Sequence, residues 1–92
     1  MDKILEHEKL CDGLKELYKT KNHDYGDSFG KSFKEYGVMM AAIRLDDKLN
    51  RFKTLIKEKQ MVNDESIVDT LRDLANYSLM TIIEIENDTN IF

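Results

Sequence analysis

Three constellations in the chain carry residue types and spacings that can do chemistry. The first is a carboxylate row, Glu65, Asp69 and Asp73. Positions i, i+4 and i+8 stack on one side of a helix, within about two and a half turns. Like charges at that spacing repel, so lysines at i+4 would serve a merely solvated surface better. Such a row can hold Mg²⁺, a hard cation that takes oxygen ligands and bridges to substrate phosphate. Its bland alternative is a solvated helix face, with Arg72 softening the charge. The second constellation is a basic ridge, Arg44, Lys48 and Arg51, with Asp47 set inside it. Guanidinium forks match phosphate oxygens, and an ammonium supplies a point charge. Ridge and row can neutralise each other across helices, or together grip a metal–phosphate group.

The third constellation is the stretch Lys21-Asn-His-Asp-Tyr-Gly-Asp-Ser-Phe29, which crowds donors, acceptors and rings together. Half of the chain's eight aromatics lie between Tyr25 and Tyr36. Tyr25 and Phe29 can stack on a base, a contact worth roughly 1–3 kcal/mol. Asn22, Asp24, Asp27 and Ser28 can read base or sugar edges. The alternative is a capping loop whose rings plug a helical core. Other residues read as packing. Cys11 falls on a core face, His7 in the same sector is half-buried, and Met39, Met40, Met61 and Met80 fill gaps. No phosphate-binding glycine loop and no nucleophile–histidine constellation is visible.

Helices must position these groups. The chain has 92 residues, 41% hydrophobic and 35% charged, with no proline and four glycines. That length suits one domain, 1–92, with a thin core that oligomerisation would help. The lack of proline favours long helices over a turn-rich sandwich or barrel. A formal charge of −4 argues against wrapping a nucleic-acid polymer. One cysteine cannot form an internal disulfide, so a reducing compartment is expected. No apolar run approaches a membrane span, and the N-terminus shows no signal-peptide pattern. A cytoplasmic location follows as the expectation.

Periodicity at 100° per residue predicts a first helix over about 2–21, capped by Asp2, with Ile4, Cys11, Leu14 and Tyr18 inward and Leu10 and Leu17 flanking. A loop to about residue 28 and a short helix ending at Gly37 follow. The third helix, about 38–59, aligns Val38, Ala42, Leu45, Leu49, Phe52 and Ile56. After the linker 60–64, a helix over about 64–87 turns Ile67, Leu71, Leu74, Ala75, Ser78, Ile82 and Ile85 inward. Its outer face carries Glu65, Asp69, Asp73, Asn76 and Met80, with Tyr77 at the border. Asn63 or Asp64 can cap it. The tail 87–92 reads as frayed, although Ile91 and Phe92 can dock. The fold class is all-α: a small bundle of three long helices plus one short helix.

Taken in order, the segments 21–29, 44–51 and 64–77 resemble the nucleotide-modification-associated domain 1 family. They read Lys-x-x-Asp-Tyr-Gly-Asp-Ser-Phe, Arg-Leu-x-Asp-Lys-x-x-Arg and Asp-Glu-Ser-x-x-Asp-Thr-Leu-x-Asp-Leu-Ala-Asn-Tyr. That family is common in phages and bacteria. It is similar to the all-α nucleotide pyrophosphohydrolases of the MazG and dimeric dUTPase type, which are Mg²⁺-dependent and usually oligomeric. The resemblance implies a MazG-like homo-oligomer in the cytoplasm, of the host cell if phage-encoded. It implies phosphate contacts from Lys21, Arg44, Lys48 and Arg51, and base or sugar contacts from Asp24, Tyr25, Ser28, Phe29, Asn76 and Tyr77. Any metal would sit at Glu65, Asp69 and Asp73. The hydrolases face an E-x-x-E pair with an E-x-x-D pair, whereas the third helix here offers Arg44, Asp46, Asp47 and Lys48. Cations on one wall favour direct phosphate binding without a metal. Two nucleotide functions are therefore expected, beside a helical interaction module with no small-molecule site in which each charged stripe is merely structural. One is a phage-type protein that binds a nucleotide, or a cyclic-nucleotide-like second messenger, and sequesters an immune signal without turnover. The other is a Mg²⁺-dependent nucleoside triphosphate pyrophosphohydrolase.

Overall fold

A computed structural model describes residues 1–58 and 64–88, and the side chains of Asp64 and Glu65 lie outside that description. The linker 60–63, Met61, the capping role of Asn63 or Asp64, and the tail residues Ile91 and Phe92 are likewise outside the described residues. The protein is all-α, in the order α1 Lys3–Tyr25, α2 Ser28–Tyr36, α3 Val38–Lys57 and α4 Asp64–Asn87.

Asp2 caps α1 as its sequence position implies, accepting from the backbone N–H of Ile4 at 3.0 Å and of Leu5 at 3.2 Å. The helix does not stop near residue 21. It absorbs Lys21–Tyr25 and ends only at Gly26, where φ is +58°. The N–H groups of Gly26 and Asp27 both donate to the Asn22 carbonyl. Asn22 and Asp24 favour turns, but Gly26 is the first position where a left-handed cap is cheap. The expected loop to about residue 28 is thus a Gly26–Asp27 elbow, and Asp27 is also left-handed at φ +56°. A second glycine, Gly37 at φ +81°, separates α2 from α3, its N–H donating to the Phe33 carbonyl at 2.8 Å.

The α3–α4 pair is the spine, with α2 folded against both and α1 leaning on α4. The rings of α2 make the core: Phe29 and Phe33 are buried with Ala41, and Val38, Met40, Tyr77, Met80 and Ile85 pack around them. Phe29 stacks on Tyr77 with centroids 5.9 Å apart. Such aromatic pairs add to the burial of their area.

Three expected core faces need correction. In α1 no residue is buried; Ile4 is 83% exposed, and His7 and Cys11 lie in solvent with Sγ 3.6 Å from Nδ1. Of the expected inward residues, Leu14 and Tyr18 are half-buried, with Leu17 beside them, because α1 meets α4 through its second half. In α3 Val38, Leu45 and Phe52 are half-buried as expected, but Ala41, Lys48 and Leu55 complete the inward side in place of Ala42, Leu49 and Ile56. In α4 Ile67, Leu74, Ala75 and Ile85 are half-buried as expected and the inward side also carries Thr70, Tyr77 and Met80, whereas Leu71, Ser78 and Ile82 face out. Thr70 is buried because its hydroxyl accepts from Arg51 Nε at 3.2 Å and donates to the Ser66 carbonyl at 2.8 Å.

Candidate phosphate-binding cleft

Extension of α1 to Tyr25 carries Lys21, Asn22 and Tyr25 along one wall of a cleft that α2, α3 and α4 complete. The elbow turns the chain so that Ser28 and Ser32, one turn apart on α2, form the floor beside Phe29. Arg44 enters from α3, and Asp73, Asn76 and Tyr77 from α4. Together with Tyr18, Met40 and Met80 these side chains line a cavity of about 380 Å³. That lies at the low end of small-molecule sites, which span roughly 300–1,000 Å³.

Asp73 is the electrostatic centre. Its Oδ2 accepts from Lys48 Nζ at 3.0 Å and its Oδ1 from Lys21 Nζ at 3.4 Å. One carboxylate thus joins α1, α3 and α4. It is one-quarter exposed, so water screens the pairs only partly. Arg44 is exposed at the cavity and has no ion-pair partner among the described residues. Lys21 and Arg44 therefore line the cavity against the single carboxylate of Asp73, which Lys48 also pairs from behind, and this leaves the cleft cationic in a chain whose formal charge is −4. Asn76 anchors the α1 wall by donating from Nδ2 to the Leu14 carbonyl at 3.1 Å.

The sequence-derived residues divide in this geometry. Lys21, Tyr25, Ser28, Phe29, Arg44, Asn76 and Tyr77 line the cavity, as does Asp73. Lys48 stands behind Asp73. Arg51 bonds to Thr70 outside the cavity. Asp24 is exposed beside His23, whose Nδ1 lies 3.5 Å from its carboxylate. Phe29 has one face spent on Tyr77, leaving the two-thirds-exposed Tyr25 as the open ring. Tyr18, Ser32, Met40 and Met80 join the lining without having been singled out as site residues. The Ser28–Ser32 spacing of four was the available signal, and it is weak without knowing where α2 begins.

The carboxylate row does not converge. Asp69 is 59% exposed and accepts from Arg72 at 3.1 Å, while Asp73 is taken by two lysines. The side chain of Glu65 lies outside the described residues. Among the described residues no three His, Cys, Asp or Glu side chains group so as to hold a metal ion. Asp69 and Asp73 as arranged do not fit a Mg²⁺ cage, which needs oxygen ligands converging on one point. No helix among the described residues is long and apolar enough to cross a membrane.

An all-helical scaffold around a cationic, ring-walled cleft defines the class of protein. The family follows from residues 21–85, which match nucleotide modification associated domain 1 and span more than two-thirds of the chain. The chain belongs to that family. No curated protein and no solved structure matches it.

Proposed function

We propose that the cleft binds a nucleotide by its phosphate, directly and without turnover. The observation that carries this reading is the charge excess at the cavity: Lys21 and Arg44 line it with one carboxylate, Asp73, which Lys48 already pairs from behind, and Arg44 is unpaired among the described residues. An anionic ligand supplies the missing charge. Guanidinium and ammonium donors suit phosphate oxygens. The open ring of Tyr25 and the polar groups of Asn22, Ser28 and Ser32 suit a base and sugar. A cavity this small accommodates one nucleoside with its phosphate more readily than two. The ligand is a mononucleotide or a nucleotide-derived second messenger that presents one such unit. Membership in a family described by nucleotide modification agrees with that ligand class. A phage-encoded protein that holds such a signal intact would remove it from circulation in the host cytoplasm.

The test is calorimetry of the full chain against nucleoside 5′-mono- and triphosphates, in EDTA and in Mg²⁺, with ligand recovered after denaturation. Binding in EDTA, intact recovered ligand and loss on Arg44→Ala support the reading. Pyrophosphate released only in Mg²⁺ would make the protein a hydrolase instead, and no binding in either buffer would remove nucleotides from the account.

A further inference from the structure

Arg44 and Met40 line two cavities at once. One is the cleft already described. The other is a groove of about 300 Å³ that Tyr36, Met39 and Ile43 complete. The two shared side chains therefore stand between cleft and groove. Tyr36 ends α2, and Gly37, left-handed at φ +81°, sets the first two turns of α3 beside that ring. Tyr36, Met39 and Ile43 are each more than half exposed. A solvated helix face is normally polar. Further along α3 this one is: Met39 and Ile43 are followed at helical spacing by Asp46, Asn50, Thr54 and Lys57, all exposed. Apolar exposure on the stripe is thus confined to the turns that adjoin Arg44.

The size and chemistry of the groove narrow its occupant. From Met39 to Ile43 the helix rises only about 6 Å. A docked helix takes anchors spread over two turns or more, whereas one flat ring does not. The Tyr36 ring offers a face on which a base can stack, and methionine sulfur makes favourable contacts with aromatic edges. Among the described residues that line the groove, Arg44 alone is charged.

We propose that the groove holds the second base of a dinucleotide whose first nucleoside fills the cleft and whose pyrophosphate bridge lies at Arg44. This rests on the nucleotide reading and narrows it to one ligand class. A cleft sized for one nucleoside leaves a second outside it, and continuity through Met40 and Arg44 puts the groove where that second unit emerges. A pyrophosphate substituted at both ends keeps one charge on each phosphate, which gives Lys21 and Arg44 an anion apiece. A single phosphodiester would bring only one charge to the two cations.

The experiment is calorimetry of the full chain in EDTA. Symmetrical dinucleoside pyrophosphates of adenine, guanine, cytosine and uracil are each compared with the nucleoside diphosphate sugar of the same base. The members of a pair share one base and the doubly substituted pyrophosphate, and only the dinucleotide has a second ring. For the base that the cleft accepts, the dinucleotide should bind roughly 5- to 150-fold tighter, the range of one base–ring stack. Tyr36→Ala should erase that ratio and leave the affinity for the sugar nucleotide unchanged, and Ile43→Ser should reduce it. Both side chains are exposed, so neither change removes a core contact. Equal affinities within a pair that binds would overturn the second subsite and leave the nucleotide cleft standing. So would a dinucleotide advantage that survives Tyr36→Ala undiminished. Binding of none of the eight compounds would overturn both.

Discussion

Replacing Asp73 by asparagine should tighten phosphate binding, although Asp73 lies in the cleft. Its carboxylate occupies Lys48 at 3.0 Å and Lys21 at 3.4 Å, so in the free protein it plays the part of an internal anion. Asparagine preserves the shape and removes the charge. A dianionic phosphate held by Lys21 and Arg44 would sit about 6 Å from that charge. At the full dielectric of water, the repulsion removed is ~1.4 kcal/mol, a roughly tenfold gain in affinity, and partial burial makes this a lower bound at low salt. Against this stands the loss of two partly exposed ion pairs, each worth roughly 0.2–1 kcal/mol to the fold. That loss should show as a modest drop in melting temperature. The assay is titration of Asp73→Asn and the parent protein with a nucleoside monophosphate in EDTA, at 50 and 300 mM salt. The gain should shrink at the higher salt as the Debye length shortens. Unchanged or weaker metal-free affinity would refute the reasoning, because Asp73 would then be aiming the lysines or serving a metal rather than competing with the ligand.

Arg44→Ala should lose 1.5–3 kcal/mol of phosphate affinity, about 10- to 150-fold, the range for hydrogen bonds to charged groups, read by the same titration. Tyr25→Ala should weaken nucleotide binding by roughly 1–3 kcal/mol while leaving pyrophosphate binding unchanged, which separates ring stacking from charge. Phe33→Ala, at a ring only 3% exposed in the α2 core, should cost about 3–5 kcal/mol by denaturant unfolding. Gly26→Ala must place a Cβ at φ +58° and should cost roughly 1–2 kcal/mol, with helicity beyond the elbow falling before that of α3 and α4 on heating.

Much of this was written in local pattern. Asp2 as a cap, Gly37 as the break before α3, and helices in place of strands follow from proline absence, cap chemistry and periodicity. The cleft was legible as residue types: Lys21, Tyr25, Ser28, Arg44, Asn76 and Tyr77 stand together. Orientation was not. Periodicity ranks faces by apolarity, and by that measure Leu49 and Ile56 outrank Lys48, and Leu71 and Ile82 outrank Thr70 and Asp73. The protomer nevertheless buries the polar seam, because Lys48 finds Asp73 and Arg51 finds Thr70. Satisfied polar pairs can occupy an inner seam, but one-dimensional pattern cannot identify partners on different helices. The end of α1 was misplaced for a related reason. Turn-forming residues mark where a helix can end, whereas a left-handed position such as Gly26 fixes where it does.

The Asp73 bridge also bears on which ligands the cleft selects. Because Lys21, Lys48 and Asp73 come from α1, α3 and α4, the contact that supplies the site's charge also ties three helices. A phosphate drawn to Lys21 exchanges one anion for another and need not create a pair from two solvated ions. The net gain is then set by how much more charge the newcomer brings than the single carboxylate it displaces. A monoanion gains little from the exchange, whereas a dianion gains from Lys21 and from Arg44, which the exchange leaves otherwise unneutralised. A terminal phosphate monoester should therefore be preferred to a diester of the same base. The preference should widen in Asp73→Asn, because the charge removed repels a dianion about twice as strongly as a monoanion.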